Sequence, residues 1–243
     1  MFAVLSGKGG TGKTTVCAGI AAALAAEGRK VLCVDCDVGL RNLDISLGMT
    51  DSSAISFLDV MDSGYGFSAA AVHPIFPGLR LLTAPMNCPV ERIDVHGFSE
   101  MLRKAREEFD YVFLDAPAGV DAGFRLVSSC AERILVVTNA GPAAVRDASQ
   151  VGDLLEIAGK KDVRMVVNRV SRSMLSSFHM TIDDVMDNAG LPLMGVVLED
   201  PNIPMAATAG KSILQYAKRS DAAKAFKRIA ARIQGFSKPI TLR

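Results

Sequence analysis

The stretch FAVLSGKGGTGKTT, Phe2–Thr15, joins a short apolar run to a glycine-rich segment, and it decides the fold. Residues 7–14 fit the pattern G-x-x-x-x-G-K-[ST], and a helical pattern follows them directly. A glycine-rich loop between a strand and a helix binds phosphate, because its backbone N–H groups and the helix N-terminus point at the anion. The alternative, a flexible turn without a ligand, does not explain the lysine and threonine that close the pattern.

Each residue type in this loop has a physical reason. Glycine lets the backbone approach the anion without a Cβ in the way, Lys13 neutralises the β- and γ-phosphates, and the Thr14 hydroxyl is placed for Mg²⁺. The residues predicted to bind phosphate are Gly7, Gly9, Gly10, Thr11, Gly12, Lys13, Thr14 and Thr15.

The rest of the chain alternates short aliphatic runs with longer helical patterns. Near-continuous apolar runs are typical of strands that are covered on both faces, so the sequence predicts an α/β fold with a doubly wound, mostly parallel sheet and helices on both faces. The predicted strands are Phe2–Leu5, Val31–Val34, Leu79–Leu82, Tyr111–Leu114, Ile134–Val137, Val163–Val167 and Gly195–Leu198. The predicted helices are Thr14–Glu27, Phe98–Phe109, Pro142–Ile157 and Ser220–Gln234, and a loop with a short helix is expected over Asp51–Pro77. We expect one P-loop domain over residues 1–235 and a short C-terminal tail over residues 236–243.

Composition narrows the function classes. The 243 residues are 49% hydrophobic, enough for a substantial core, and the net charge of +1 gives no global attraction to nucleic acid or to an anionic surface. The five cysteines are odd in number and scattered, and no apolar run has the length of a signal peptide or a membrane span. We therefore expect a cytoplasmic protein, and we do not expect DNA as a partner.

Three carboxylates follow two of the predicted strands. Asp35 and Asp37 come after VLCV, and Asp115 comes after YVFL. A phosphate loop needs partners for the metal and for the attacking water, and strand ends beside the loop are where that chemistry requires them. Any one of these acids is equally well explained as a turn former or helix cap, but the set of three favours a site. Gly119, shortly after Asp115, marks a hinge that lets the loop move when a γ-phosphate is present.

The segment SGKGGTGKTT, in which Lys8 is a second lysine, resembles the deviant phosphate loop of the MinD/ParA group of ATPases, which is related to the nitrogenase iron protein. The resemblance implies that Lys8 reaches the partner's phosphates across an ATP-dependent homodimer. A cation supplied in trans stabilises transition-state charge as an arginine finger does. A solvated loop lysine is the alternative interpretation.

Within that group the chain is most similar to the MinD branch, over about residues 2–213. The similar segments are CDVGLRNLDISLG, DAPAG, TNAGPAAVRDASQ and NRVS. The resemblance implies an ATPase switch in the positioning of cell division, with a protein activator and an effector that the sequence does not identify. It further implies that Asp37 orients the attacking water, that Asp115 supports Mg²⁺ through water, and that Asn168 and Arg169 frame the base. Asp35 is a weaker candidate on the metal side.

The base can be examined from the residues themselves. GTPases recognise guanine through N/T-K-x-D, whose carboxylate accepts two guanine N–H bonds, and the corresponding segment here is Asn-Arg-Val-Ser, 168–171. No aspartate stands in the last position, so the sequence favours ATP. Asn168 as an ordinary residue at the end of a strand stays an alternative.

Other signals leave alternatives open. Cys33 and Cys36 have the spacing of a metal pair, and an iron–sulfur carrier is an alternative among relatives of the nitrogenase protein. An odd separation on one strand, however, predicts side chains on opposite faces. A ParA-like DNA or cargo partition ATPase and a non-hydrolysing nucleotide-binding scaffold are the alternative functions.

The last helical pattern has an apolar face and a basic face. It fits the final core helix better than an interfacial membrane helix, because its five alanines suit close packing. The separate amphipathic tail of the family is then expected to be shortened or absent. Peripheral attachment to the inner face of the cell membrane is the alternative localisation, and it depends on this tail.

Overall fold

The computed structural model describes residues 1–50, 52–62, 65–86, 88–171 and 181–240. Its described strands form one eight-stranded sheet in the order β3-β4-β2-β5-β1-β6-β7-β8. Every neighbouring pair is parallel except β3 and β4, which are antiparallel. The strands are β1 Phe2–Leu5, β2 Val31–Asp35, β3 Ala71–Val72, β4 Leu79–Leu82, β5 Tyr111–Asp115, β6 Arg133–Thr138, β7 Asp162–Val170 and β8 Leu193–Leu198. The predicted parallel sheet is confirmed.

The four predicted helices are present, three of them with small shifts at their ends. The helix predicted over Phe98–Phe109 begins at Val95, because the Asp94 carboxylate accepts the N–H groups of His96 and Gly97 and so caps the extra turn. The α-helices are α1 Lys13–Ala26, α2 Leu43–Leu47, α3 Phe57–Asp62, α4 Val95–Glu108, α5 Ala122–Cys130, α6 Pro142–Ile157, α7 Ile182–Ala189, α8 Asn202–Thr208, α9 Ile213–Tyr216 and α10 Asp221–Ile233. Helices α2, α5, α7, α8 and α9 were not among the predicted ones. The expected short helix within 51–77 is α3, but the region also holds a 3₁₀ turn at Phe67–Ala69 and the edge strand β3, which the sequence did not predict.

Two apolar layers cover the sheet, one on each face. Cys33 belongs to one layer and Cys36 to the other, as their odd separation predicts. The two thiols therefore do not form the metal pair that their spacing suggested. Phe2 and Phe113, on neighbouring strands, stack with their ring centroids 5.2 Å apart on the same face as Cys33.

Helix α10 is part of the core, as predicted. Its face of Ala222, Phe226, Ile229 and Ile233 is buried. The Phe226 ring occupies the space that a side chain at position 19 of α1 would need, and the small residues of both helices allow this approach. The last helix is thus packed directly on the helix that follows the phosphate loop. Among the described residues no helix combines the length and the apolar character required to cross a bilayer.

Candidate nucleotide site

The glycine-rich loop connects β1 to α1, at the edge of the sheet where the parallel strands end. Gly10 and Gly12 have positive φ values of 82° and 84°, which side chains other than glycine rarely adopt. Gly12 is the residue that precedes α1, so the loop opens onto the N-terminus of that helix. The loop borders a cavity of about 370 Å³, which the predicted residues Gly9, Gly10, Thr11, Gly12, Lys13, Thr14 and Thr15 line together with Lys8, Asp37, Asn168 and Arg169. Gly7 lies outside that lining.

Lys13 is buried beneath the loop and forms an ion pair with Asp115. The Lys13 Nζ atom lies 2.8 Å from Asp115 Oδ1, and the two side chains are 7% and 1% exposed. Burial lowers the pKa of Lys13, but the charge and the hydrogen bond of Asp115 outweigh it, so the pKa is raised and the ammonium form is retained. The predicted phosphate lysine and the predicted metal-side aspartate are therefore in contact.

Asp35 and Asp37 have different surroundings, although Asp35 ends β2 and Asp37 lies only two residues beyond it. Asp37 is half-buried and faces the cavity. Burial raises the pKa of Asp37, and the positive charge of the nearby Lys13 offsets part of this rise. Asp35 is only 2% exposed, and burial together with the charge of Asp115 raises its pKa to about 6. Its two oxygens accept the backbone N–H groups of Asp37 and Leu43. Asp35 is thus bonded to the chain around the site, a role that the sequence did not suggest.

Lys8 lies at the rim of the cavity, with its side chain 41% exposed. Its Nζ atom is 3.8 Å from Asp147 Oδ2 on α6. The backbone of Gly7 lies against the same residue, since an added Cβ would lie 2.7 Å from Asp147 Cβ. Asp147 is a site residue that the sequence analysis missed, although it belongs to the VRD segment quoted for the resemblance. Only the packing of α6 on the loop identifies it.

Asn168 and Arg169 contact the loop from the end of β7. The Asn168 side-chain amide donates to the Thr11 carbonyl at 2.8 Å, and the Arg169 guanidinium donates to the Gly10 carbonyl at 3.0 Å. Arg169 has a positive φ of 54°, which is unusual for a residue with a side chain. Two buried polar atoms in this region, Thr11 Oγ1 and Asn168 Oδ1, have no hydrogen-bond partner. Buried polar atoms are nearly always bonded, so these two mark a place for a polar ligand.

A second cavity, of about 650 Å³, shares lining residues with the first. The residues that line it are Arg169, Val170, Ser171, Leu198, Glu199, Asp200, Pro201, Ile203, Pro204 and Asp221. Ile203 and Arg169 line both cavities. The segment 198–204 was not singled out from the sequence, because it carries no phosphate motif and comes to the site only through the pairing of β8 with β7.

Comparisons with known proteins agree with this geometry. Residues 2–213 match the model of the CobQ/CobB/MinD/ParA nucleotide binding domain. The septum site-determining protein MinD of Synechocystis sp. is 35% identical over 97% of this chain and 89% of its own length. The protein of the same name from Bacillus subtilis is 34% identical over 98% of this chain and 90% of its own length.

Solved structures give the same result. The MinC:MinD cell division protein complex of Aquifex aeolicus contains a chain with a TM-score of 0.90 and 32% identity, covering 99% of this chain and 98% of that one. MinD of Pyrococcus horikoshii, solved with Mg-ADP, has a TM-score of 0.83 and 29% identity, covering 96% of this chain and 94% of that one. The fold is therefore that of the P-loop nucleotide-binding proteins, and the chain belongs to the CobQ/CobB/MinD/ParA family, within its MinD type.

Proposed function

We propose that this chain is a Mg²⁺-dependent ATPase that dimerises with ATP, separates after hydrolysis and takes part in positioning the division site. The observation that carries the proposal is the separation of the two loop lysines. Lys13 is buried in an ion pair under the loop, whereas Lys8 lies half-exposed at the rim. One lysine is thus placed for the chain's own nucleotide, and the other is accessible to a second molecule.

For binding, the loop N–H groups and the N-terminus of α1 would hold the phosphates, and Lys13 would neutralise them. Thr14 would contribute its hydroxyl to Mg²⁺, and Asp115 would support the metal through water. Asp35 was a weaker candidate for the same role. Bound Mg²⁺ neutralises the charge that develops on the transferred phosphoryl group.

For the base, the unpartnered Asn168 Oδ1 supports adenine, and the second cavity would accommodate the ring. Asn168 Oδ1 is a free acceptor, because the amide nitrogen of the same side chain is already used by Thr11. An acceptor in this position suits the exocyclic amino group of adenine and repels the carbonyl oxygen of guanine. Arg169 lies between the two cavities and would frame the ring.

For hydrolysis, Asp37 would orient the attacking water. Its carboxylate faces the cavity, whereas the carboxylate of Asp115 is occupied by its ion pair with Lys13. Lys8 would leave Asp147 and stabilise charge on the partner's nucleotide. The contact between Lys8 and Asp147, at 3.8 Å, lies on the surface and is weak, so breaking it would cost little free energy. Gly119, whose φ of 91° suits glycine, would act as the hinge of the loop after β5 when a γ-phosphate is present.

The relatives suggest where the switch acts. Because the Aquifex MinD was solved in a complex with MinC, we propose a protein effector of comparable kind for this chain, and a protein activator in addition. The site of action would be the cytoplasm, and only the ATP dimer would reach the inner membrane surface. Turnover would be slow without the activator, because the hydrolysis-competent geometry would be completed only by the dimer together with its partner protein.

The test measures molar mass by size exclusion with light scattering, together with phosphate release. ATP should double the mass of the parent protein. Lys8→Ala should keep ATP binding and lose both dimer and turnover, whereas Lys13→Ala should lose binding. Lys161→Ala, at an exposed position directly before β7, is the control and should behave as the parent.

Three outcomes would contradict the proposal. A Lys8→Ala variant that still doubles in mass would exclude the role in trans. Tight ATP binding without phosphate release at any protein concentration would indicate a scaffold. Retention on DNA that falls steeply with salt would indicate a partition ATPase.

A further inference from the structure

Asp35 is a buried carboxylate at the end of β2 that bonds to two separated points of the chain. One oxygen accepts the Asp37 N–H at 2.9 Å, and the other accepts the Leu43 N–H at 3.2 Å. The carboxylate therefore holds both ends of the segment 37–43. Lys13 does not compete for the Asp35 oxygens, because its ammonium group pairs with Asp115.

The bond to Leu43 replaces a missing helix cap. Leu43 is the first residue of α2, and the preceding Asn42 makes no side-chain capping bond. The first N–H groups of a helix have no partner within the helix, so they require an acceptor from elsewhere. Here the acceptor comes from the sheet, which fixes α2 to the end of β2.

The segment between these two bonds is strained and exposed. Gly39 has a φ of 119° and Arg41 a φ of 28°, and the latter is unfavourable for a residue with a side chain. The side chain of Leu40 is 71% exposed. Val38 packs against the core, and the Arg41 N–H donates to the Asp37 carbonyl within the segment at 3.4 Å. The two bonds to Asp35 are the side-chain bonds that tie the ends of this segment to the end of β2.

We infer that Asp35 is a positioning residue: it fixes both ends of the segment 37–43 and thereby directs the Asp37 carboxylate into the phosphate cavity, without itself contacting metal or nucleotide. This inference rests on the proposed role of Asp37 in hydrolysis. It replaces the metal-side role that the sequence suggested for Asp35.

The experiment compares Asp35→Asn with Asp44→Asn. Asparagine keeps the shape of Asp35 and one acceptor, but it turns an amide toward one of the two N–H groups. Asp44, on α2, accepts the N–H of its neighbour Ile45 and, within the described part of the chain, no other hydrogen bond through its side chain, so its variant is a matched control.

The first readout does not depend on activity. Trypsin cleavage after Arg41 is followed in the nucleotide-free protein, with cleavage after Arg106 in α4 as an internal reference for general unfolding. Asp35→Asn should raise the ratio of the two rates by about tenfold or more, because a hydrogen bond to a carboxylate is among the stronger ones. Asp44→Asn should change it by less than about twofold.

The second readout is the kinetics of ATP hydrolysis. Asp35→Asn should lower kcat by about tenfold or more and leave KM within about threefold, because it misplaces Asp37 and leaves the phosphate loop intact. The concentration of Mg²⁺ at half-maximal rate should stay that of the parent.

The outcomes separate this inference from the proposed function. An unchanged cleavage ratio in Asp35→Asn, or equal acceleration at both sites, would overturn the positioning role. A large increase in the Mg²⁺ requirement with an unchanged cleavage ratio would return Asp35 to the metal. If the parent protein hydrolyses no ATP, the proposed function fails, and the cleavage ratio alone still decides whether Asp35 holds the segment.

Discussion

Replacing Gly12 by alanine should damage the site in two ways that can be measured separately. Gly12 has a φ of 84°, so any side chain there is strained. An added Cβ would also overlap the amide nitrogen of Asn168, which donates to the Thr11 carbonyl. Gly28 offers a matched control, because it has the same φ of 84° and no atom within 4 Å of an added Cβ.

The magnitudes follow from these contacts. The left-handed conformation costs about 1–2 kcal/mol for alanine, and this cost applies to both positions. Displacing Asn168 breaks a buried hydrogen bond and leaves its partners unsatisfied, which costs about 1–3 kcal/mol more. Gly12→Ala should therefore lower the free energy of unfolding by about 2–5 kcal/mol and Gly28→Ala by about 1–2 kcal/mol.

The assay is urea unfolding at equilibrium of the nucleotide-free protein, followed by circular dichroism. The same two glycine variants are also made in an Asn168→Ala background, where the second cost of Gly12→Ala should disappear. Nucleotide affinity should fall in Gly12→Ala and stay unchanged in Gly28→Ala. The reasoning is refuted if Gly12→Ala is no more destabilising than Gly28→Ala, or if its cost is the same with and without Asn168.

Three further predictions concern catalysis, the tail and pH. Asp37→Ala should retain ATP binding, stop turnover and accumulate the ATP dimer, and phosphate release at the parent rate would remove Asp37 from the mechanism. In the tail, Phe236 and Ile240 are exposed and Pro239 interrupts any helix, so deletion of residues 235–243 should alter ATPase activity by less than about twofold. With anionic liposomes, the full chain should sediment weakly or not at all in ADP. In ATP it should sediment modestly, and salt should reverse this binding. Strong ATP-dependent sedimentation that the deletion abolishes would identify a membrane anchor. His73 is buried and its Nδ1 atom accepts two backbone N–H groups, and burial lowers its pKa below the 6.5 of a free histidine. The unfolded chain therefore takes up the proton at a higher pH than the folded chain. As the pH drops below about 6.5, the free energy of unfolding of the parent should fall relative to that of His73→Gln, by at most about 1.4 kcal/mol per pH unit. Parallel curves of this free energy against pH would exclude this role.

Local sequence determined the phosphate loop and most of the regular elements. The loop is contiguous, so its glycines, Lys13 and Thr14 can be identified from spacing alone. The buried strands are near-continuous apolar runs, and the long helices have clear periodicity, as in Pro142–Ile157, whose predicted and observed bounds are the same. Short helices such as α2 and α8 were not predicted, because a single turn or two carries too little periodicity and depends on caps supplied from elsewhere, as Asp35 caps α2.

Only the tertiary structure decided which of these residues meet. Lys8 with Asp147, Lys13 with Asp115, and Asn168 with Thr11 are each more than a hundred residues apart in the chain. Their contacts depend on the strand order, which places β1 between β5 and β6 and brings β7 near the loop. Hydrophobic periodicity states which face of an element is buried, but not which element covers it, so strand order cannot be derived from it. The sequence by itself thus specifies a phosphate-binding loop on a parallel sheet, and the packing of distant strands and of α6 against that loop specifies its partners.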